Sequence, residues 1–253
     1  MMMPHRLSEN LDRQYISCYA PSNFQVDTSM DSSIQLIVFD LGNVVFNLAG
    51  SWERACAFAG VTYRPFAFTP DEHARMQELE VLVESGTMST EEHRAGLYAL
   101  LHGRYTLEEI AAMYQAIIRE EIAGVYDIIS GLQHAGYRTA CLSNTCAAHW
   151  VDMTNPALYP AIGLLDFQHA SHLLGVVKPD PRIYRRFEAA TGFSPAQILF
   201  FDDRQENVEG AQACGWHAAR IDSPATAVEQ IHRALAAHGI HLAPVASGNQ
   251  PLL

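Results

Sequence analysis

Gln35-Leu-Ile-Val-Phe-Asp40 is the stretch whose reading decides the fold. A mostly apolar run that ends abruptly in a charge predicts a strand buried on both faces. Similar runs recur far downstream: Arg138-Thr-Ala-Cys-Leu142 ending at Ser143, residues 161–170 around Phe167, Gln197-Ile-Leu-Phe-Phe201 ending at Asp202, and His217 to Ile221. Helical patterns alternate with them, over 125–134, 180–190, 206–214 and 224–238. Gly136, Gly192, Gly215 and Gly239 follow these patterns closely, where a left-handed C-terminal cap would sit. Strands alternating with helices predict an α/β fold with a doubly wound parallel sheet.

The interval after the first strand reads differently. Between residues 51 and 122 no buried strand is expected, and three capping boxes appear: Thr69-Pro-Asp-Glu72, Ser89-Thr-Glu-Glu92 and Thr106-Leu-Glu-Glu109. Each offers a hydroxyl and a Glu to two free backbone donors of a helix start. A small inserted helical cap at 51–122, placed as a lid, therefore interrupts a core at 33–50 and 123–241. Residues 1–32 and 242–253 are polar or rich in Pro, Gly and Asn, and read as poorly ordered tails.

Composition removes other classes. The chain has 253 residues, is 49% hydrophobic and carries 16 Lys plus Arg against 28 Asp plus Glu, a formal net charge of −12. Such a balance repels phosphate backbones and anionic lipid, so no nucleic acid and no membrane partner is expected. No apolar run reaches the ~18 residues of a membrane span, and the N-terminal stretch lacks a signal-peptide core. Five cysteines without zinc spacing suggest reduced thiols and a cytoplasmic setting. A monomer is expected, with the oligomeric state left open.

In a parallel sheet, ligands bind beyond the carboxyl ends of the strands. The polar residues that end these strands are Asp40, Ser143, Asp202 and Asp203, with Lys178 in a loop between them. Crowded carboxylates repel unless a cation joins them, and oxygen-only ligands favour Mg²⁺. A carboxylate can attack phosphorus to give an aspartyl phosphate. A Lys and a Ser hydroxyl can then hold the phosphoryl oxygens.

These residues lie in four motifs: FDLGNVVF at 39–46, LSNT at 142–145, KPDPRIY at 178–184 and FFDDRQEN at 200–207. In this order they resemble the haloacid dehalogenase (HAD)-like hydrolase superfamily. With ESG at 84–86 and STEE at 89–92, the chain looks closest to the bacterial group containing the alpha-glucose-1-phosphate phosphatase. The resemblance implies a Mg²⁺-dependent phosphatase acting on a small phosphorylated metabolite, with a sugar 1-phosphate favoured. It makes Asp40 the nucleophile and a metal ligand, with the Gly42 carbonyl and Asp203 as further ligands. Asp202 would hold a metal-bound water, and Asn207 would orient the loop. Ser143, with Asn144 after it, would bind phosphate, and Lys178 would neutralise Asp40 and the phosphoryl group.

Most phosphatases of this family carry a second Asp two residues after the nucleophile, as general acid and base. Here Gly42 stands there, so the leaving oxygen is expected to depart carrying more negative charge, unless water or a cap residue such as His73 or Glu84 supplies the proton instead. Trp52, Tyr63, Phe66 and Phe68 either line the substrate pocket or pack the cap. The alternatives are a metal-free dehalogenase of the same fold, which the Asp202-Asp203 pair disfavours, and a catalytically silent binding module.

Overall fold

The computed structural model describes residues 33–242. The tails expected at 1–32 and, Leu242 apart, at 242–253 lie outside the described residues. The central strand β1 (Leu36–Phe39) is fully buried. Alternate side chains of a strand face opposite ways. Ile37 and Phe39 accordingly enter one apolar cluster, and Leu36 and Val38 another. That two-sided burial is why the run shows no polar alternation.

After β1 the chain turns into a short strand β2 (Phe46–Leu48), then helices α1 (Trp52–Ala59), α2 (Pro70–Glu84), α3 (Thr90–Leu100) and α4 (Leu107–Gln115). Strand β3 (Ile118–Glu121) returns antiparallel to β2, pairing Phe46 with Glu121 and Leu48 with Ile118. This strand lies within 51–122, where no buried strand is expected, and it is not a buried one. Its sequence, Ile-Arg-Glu-Glu, leaves it only partly buried, so no apolar run announced it.

The rest alternates: α5 (Val125–His134), β4 (Arg138–Ser143), α6 (Ala147–Met153), α7 (Pro160–Leu164), β5 (Phe167–Ala170), α8 (Ser171–Leu174), α9 (Pro181–Thr191), β6 (Ile198–Asp202), α10 (Gln205–Ala213), β7 (His217–Arg220) and α11 (Ala227–Ala237). The apolar stretch 161–170 is thus part helix and part strand. The sheet order is β5-β4-β1-β6-β7, with every pair parallel. Helices α5 and α11 cover one face through Val125, Ile129, Ile231 and Leu235. Helix α9 covers the other through Ile183, Tyr184 and Phe187. The chain leaves β1 for β4 on one side and reaches β6 on the other, so the switch point lies at the carboxyl end of β1.

Helices α1 to α4 have a cluster of their own, centred on Cys56, Leu79, Leu97, Ile110 and Met113. Cys146 joins it from the loop after β4. The three capping boxes form as the spacing predicts, on Thr69, Ser89 and Thr106. The glycines at 136, 192, 215 and 239 all adopt positive φ.

Candidate active site

Each strand that borders the switch point delivers one polar residue as its apolar run ends. Asp40 follows β1, Ser143 ends β4, Asp202 ends β6, and all three are buried. Lys178 reaches them from the loop before α9 and is itself buried. Its ammonium lies 2.9 Å from Asp40 Oδ1 and 2.6 Å from Asp202 Oδ2, and donates to the Leu142 carbonyl at 2.8 Å. An ammonium has three protons, so Lys178 is fully used. Burial works against its charge, but the two carboxylates outweigh that and hold its pKa above the ordinary value.

The backbone of Lys178 is fixed by Asn144. The Lys178 amide donates to Asn144 Oδ1 at 2.8 Å, and Asn144 Nδ2 donates to the Lys178 carbonyl at 3.0 Å. The Asn144 side chain is therefore occupied in placing Lys178, which leaves the backbone after Ser143 for the phosphate-binding part expected of it. Asp202 is similarly occupied. Its Oδ1 accepts from the Arg204 amide and Asn207 Nδ2, both at 2.9 Å, and its Oδ2 accepts from Asn207 Nδ2 at 3.1 Å as well as from Lys178. Both carboxylate oxygens thus already take donors. Asn207 is anchored in turn by its carbonyl, which accepts from Tyr184 Oη at 2.8 Å.

Asp203 stands on the open side of the cluster. One of its oxygens accepts from Asn43 Nδ2 at 2.9 Å. Asn43 has φ +56°, the left-handed region that Asn tolerates better than most residues. The Gly42-Asn43 pair signals such a turn, yet the sequence reading gave Asn43 no part. At Gly42 an added Cβ would lie 3.0 Å from Leu48 Cδ1, so a side chain there would press on its neighbour.

Asp40, Asp202 and Asp203 each offer an oxygen within 4.8 Å of the others, the one such acidic cluster among the described residues. Three ionised carboxylates and the single Lys178 ammonium leave a surplus of two negative charges. Burial raises the Asp40 pKa from 3.8 to about 7; Lys178 opposes the rise, while Asp202 and Asp203 add to it. Burial raises Asp203 too, with the Asn43 hydrogen bond pulling the other way. Buried carboxylates strained in this way are relieved by a divalent cation, so the donor set fits Mg²⁺. Asp40 and Asp203 keep free oxygens for it, whereas those of Asp202 are already engaged.

The helical insert reaches this edge through the end of α2. The buried Ser171 hydroxyl donates to the Glu84 carbonyl at 2.6 Å and accepts from the Thr145 amide at 3.0 Å. It ties the insert to the loop after β4, a role the sequence reading did not see. The Glu84 carboxyl interacts with Asp40, Lys178 and Arg204, and burial, with Glu80 adding to it, raises its pKa to about 7. The His73 ring packs edge-on to Phe68 at 5.4 Å. Trp52, Tyr63 and Phe68 gather round Phe66, with centroids 6.0, 6.5 and 4.9 Å away. Cys141 and Cys146, which flank the Ser143 motif, are buried and free.

No helix among the described residues is long and apolar enough to cross a membrane. The chain is 37% identical over 76 residues to phosphatase MT3486 of Mycobacterium tuberculosis; this covers 30% of the chain and only 35% of that protein's length. Among solved structures, a predicted HAD-like family hydrolase from Porphyromonas gingivalis superposes with a TM-score of 0.63 at 27% identity, over 80% of this chain and 98% of that one. The HAD family enzyme bt-2542 of Bacteroides thetaiotaomicron, in complex with magnesium and inorganic phosphate, shares the fold, with a TM-score of 0.59, 21% identity, and 74% and 94% coverage. The family model described as haloacid dehalogenase-like hydrolase matches residues 34–215, most of the chain and all four motifs. With a parallel sheet that brings those motifs to one edge, this chain belongs to the haloacid dehalogenase-like hydrolases.

Proposed function

We propose that the chain is a Mg²⁺-dependent phosphatase that hydrolyses a small phosphorylated metabolite, a sugar 1-phosphate by preference, with Asp40 as the nucleophile. The observation that carries this reading is the buried ammonium of Lys178 bridging Asp40 and Asp202, with Asp203 beside them. The bridge aims the Asp40 carboxylate and favours its ionised form against burial, and it puts positive charge where phosphoryl oxygens would arrive.

Asp40, Asp203 and the Gly42 carbonyl would hold Mg²⁺, and Asp202 would contribute from behind, orienting Lys178. Bound there, Mg²⁺ would offset phosphoryl charge and orient the phosphate toward Asp40. Ser143 and the Asn144 amide bind phosphate oxygens. Asp40 attacks phosphorus, the alcohol leaves, and water then releases phosphate from the aspartyl phosphate. The carboxylate surplus also counts against a metal-free dehalogenase. The magnesium and phosphate held by the Bacteroides relative, and the phosphatase from Mycobacterium, agree with the reading.

Helices α1 to α4, within the 51–122 insert, act as a cap over this edge and set specificity. The sugar 1-phosphate preference follows from Gly42. With no acid in the loop, a leaving oxygen that tolerates charge departs most easily, and an anomeric oxygen is the more acidic alcohol. The free buried cysteines support a cytoplasmic setting.

The test is a panel of phosphorylated metabolites assayed with Mg²⁺ and with EDTA, alongside Asp40→Asn. Turnover should need Mg²⁺ and vanish in Asp40→Asn, which keeps the shape and loses the attacking charge. Full activity in EDTA would overturn the metal role, and an active Asp40→Asn would mean that another group attacks.

A further inference from the structure

Gly42 leaves the proposed reaction without a proton donor on the nucleophile loop, and the tight approach of Leu48 fills the space beside it. Of the two insert residues suggested by sequence, His73 packs its ring edge-on to Phe68 in the aromatic group of the insert. Glu80, on the same helix as Glu84, is also engaged: its carboxylate accepts from Tyr114 Oη at 3.0 Å and lies 3.3 Å from His93 Nε2. Glu84 differs. It is the last residue of α2, and its carboxyl takes no hydrogen bond from the described residues.

Three features hold Glu84 against the site. Its carbonyl accepts from the buried Ser171 hydroxyl, which also takes the Thr145 amide, two residues beyond Ser143. Gly86, two residues on, has φ +71°, and a Cβ there would lie 2.6 Å from the His172 carbonyl. Only glycine allows the turn to sit this close. The Glu84 carboxyl itself lies near enough to interact with Asp40, Lys178 and Arg204 together.

Resting on the phosphatase reading, we infer that Glu84 is the general acid and base of this enzyme, supplied by the helical insert in place of the residue missing at Gly42. In the first step an oxygen of Asp40 bonds to phosphorus. The bond from phosphorus to the leaving oxygen breaks, and its electron pair stays on that oxygen. The Glu84 proton moves to the same oxygen, giving a neutral alcohol and a Glu84 carboxylate. In the second step water bonds to phosphorus and Glu84 takes its proton. The bond from phosphorus to Asp40 breaks with its pair returning to the carboxylate, and inorganic phosphate leaves. Glu84 ends protonated, as it began.

Glu80 on α2 and Asp40 after β1 favour the protonated form, while Lys178 before α9 and Arg204 after β6 favour the ionised one. His172 on α8 is the nearby imidazole, and its Nδ1 is occupied by the Thr145 carbonyl at 3.0 Å. Because Glu84 belongs to the insert, proton transfer and substrate recognition would come from the same element. The advantage of an anomeric oxygen that follows from Gly42 would flatten to the extent that Glu84 protonates the leaving oxygen, and the reaction would extend to more basic alcohols.

The experiment compares wild type, Glu84→Gln and Glu84→Asp on 2,4-dinitrophenyl phosphate, phenyl phosphate and glycerol 2-phosphate, with Mg²⁺, by rapid mixing. Dinitrophenolate needs no proton to leave. Glu84→Gln should therefore form the phosphoenzyme at close to the wild-type rate with that ester. A burst of dinitrophenolate equal to the enzyme concentration should precede slow turnover, because the base for the second step is gone. With phenyl phosphate and glycerol 2-phosphate the loss should be about 10² or more, the usual worth of a general acid. Glu84→Asp should fall between, and it carries the test by the same ordering of esters if Glu84→Gln does not unfold cooperatively. An equal loss on all three esters without a burst, in a protein where Asp40→Asn is inactive, would overturn the inference and leave the phosphatase standing. A wild type inactive on all three would overturn both.

Discussion

The carboxyl edge of the sheet and the helical insert are held together by different forces. At the edge, Asp40, Lys178, Asp202 and Asn207 are all less than 10% exposed, and hydrogen bonds and ion pairs between distant segments fix their places. In the insert the capping-box ties are local, within the first turn of a helix; a few longer polar ties, such as Arg64 to Glu109 and Tyr114 to Glu80, lie nearer the surface, and the interior between the helices is an apolar cluster. A buried ionic network has one good geometry, because each charge left unpaired in low dielectric is costly. An apolar cluster accepts many arrangements of similar volume. The edge should thus tolerate little change, and the apolar interior of the insert more.

Lys178→Met attacks this contrast where the effect should be largest. It removes the cation from two buried carboxylates while keeping length and apolar bulk. Steady-state kinetics should show a loss of at least about 10², as for deletion of one transition-state stabiliser. Breaking a buried pair also costs about 3–5 kcal/mol, so thermal unfolding should come earlier. A variant as active as wild type would show that the edge tolerates rearrangement after all.

A pH series sharpens the contrast further. The folded protein raises the Asp40 pKa from 3.8 to about 7. Without metal, the protonated carboxyl therefore favours the folded state, and this contribution fades as pH rises through about 7. Mg²⁺ needs the ionised form, so its affinity should weaken by up to about tenfold per pH unit below 7. Thermal unfolding at pH 5.5 and 8, with and without Mg²⁺, should show the larger metal-induced stabilisation at pH 8. Equal shifts at both values would mean that Asp40 is already ionised without metal.

The smallest effect should come from the insert. Thr69→Ala, Ser89→Ala and Thr106→Ala each remove an N-cap, worth about 1 kcal/mol. In a chain of this size that lowers Tm by about 2–4 °C. Turnover of 4-nitrophenyl phosphate should stay at the wild-type level, since each cap lies within its own helix. A large loss of activity from any of the three would mean that the insert and the edge are one rigid unit.

What the sequence determined by itself was set by neighbours along the chain. The apolar runs marked the five strands of the sheet, glycines marked helix ends, and hydroxyl-Glu pairs marked three helix starts, because backbone hydrogen bonding and side-chain periodicity act over a few residues. The apolar stretch before β5 misled for the same reason, since such a run suits a buried helix as well as a strand. The four motifs disclosed the family and the residues at the edge, but not what each side chain touches. Only the tertiary structure paired Asn43 with Asp203 across 160 positions, set Asn144 on the backbone of Lys178 and joined Glu84 to Ser171 across 87. Those partners were decided by packing the two sides of the sheet around β1, and by the need of each buried polar group to find a partner wherever the fold brings one.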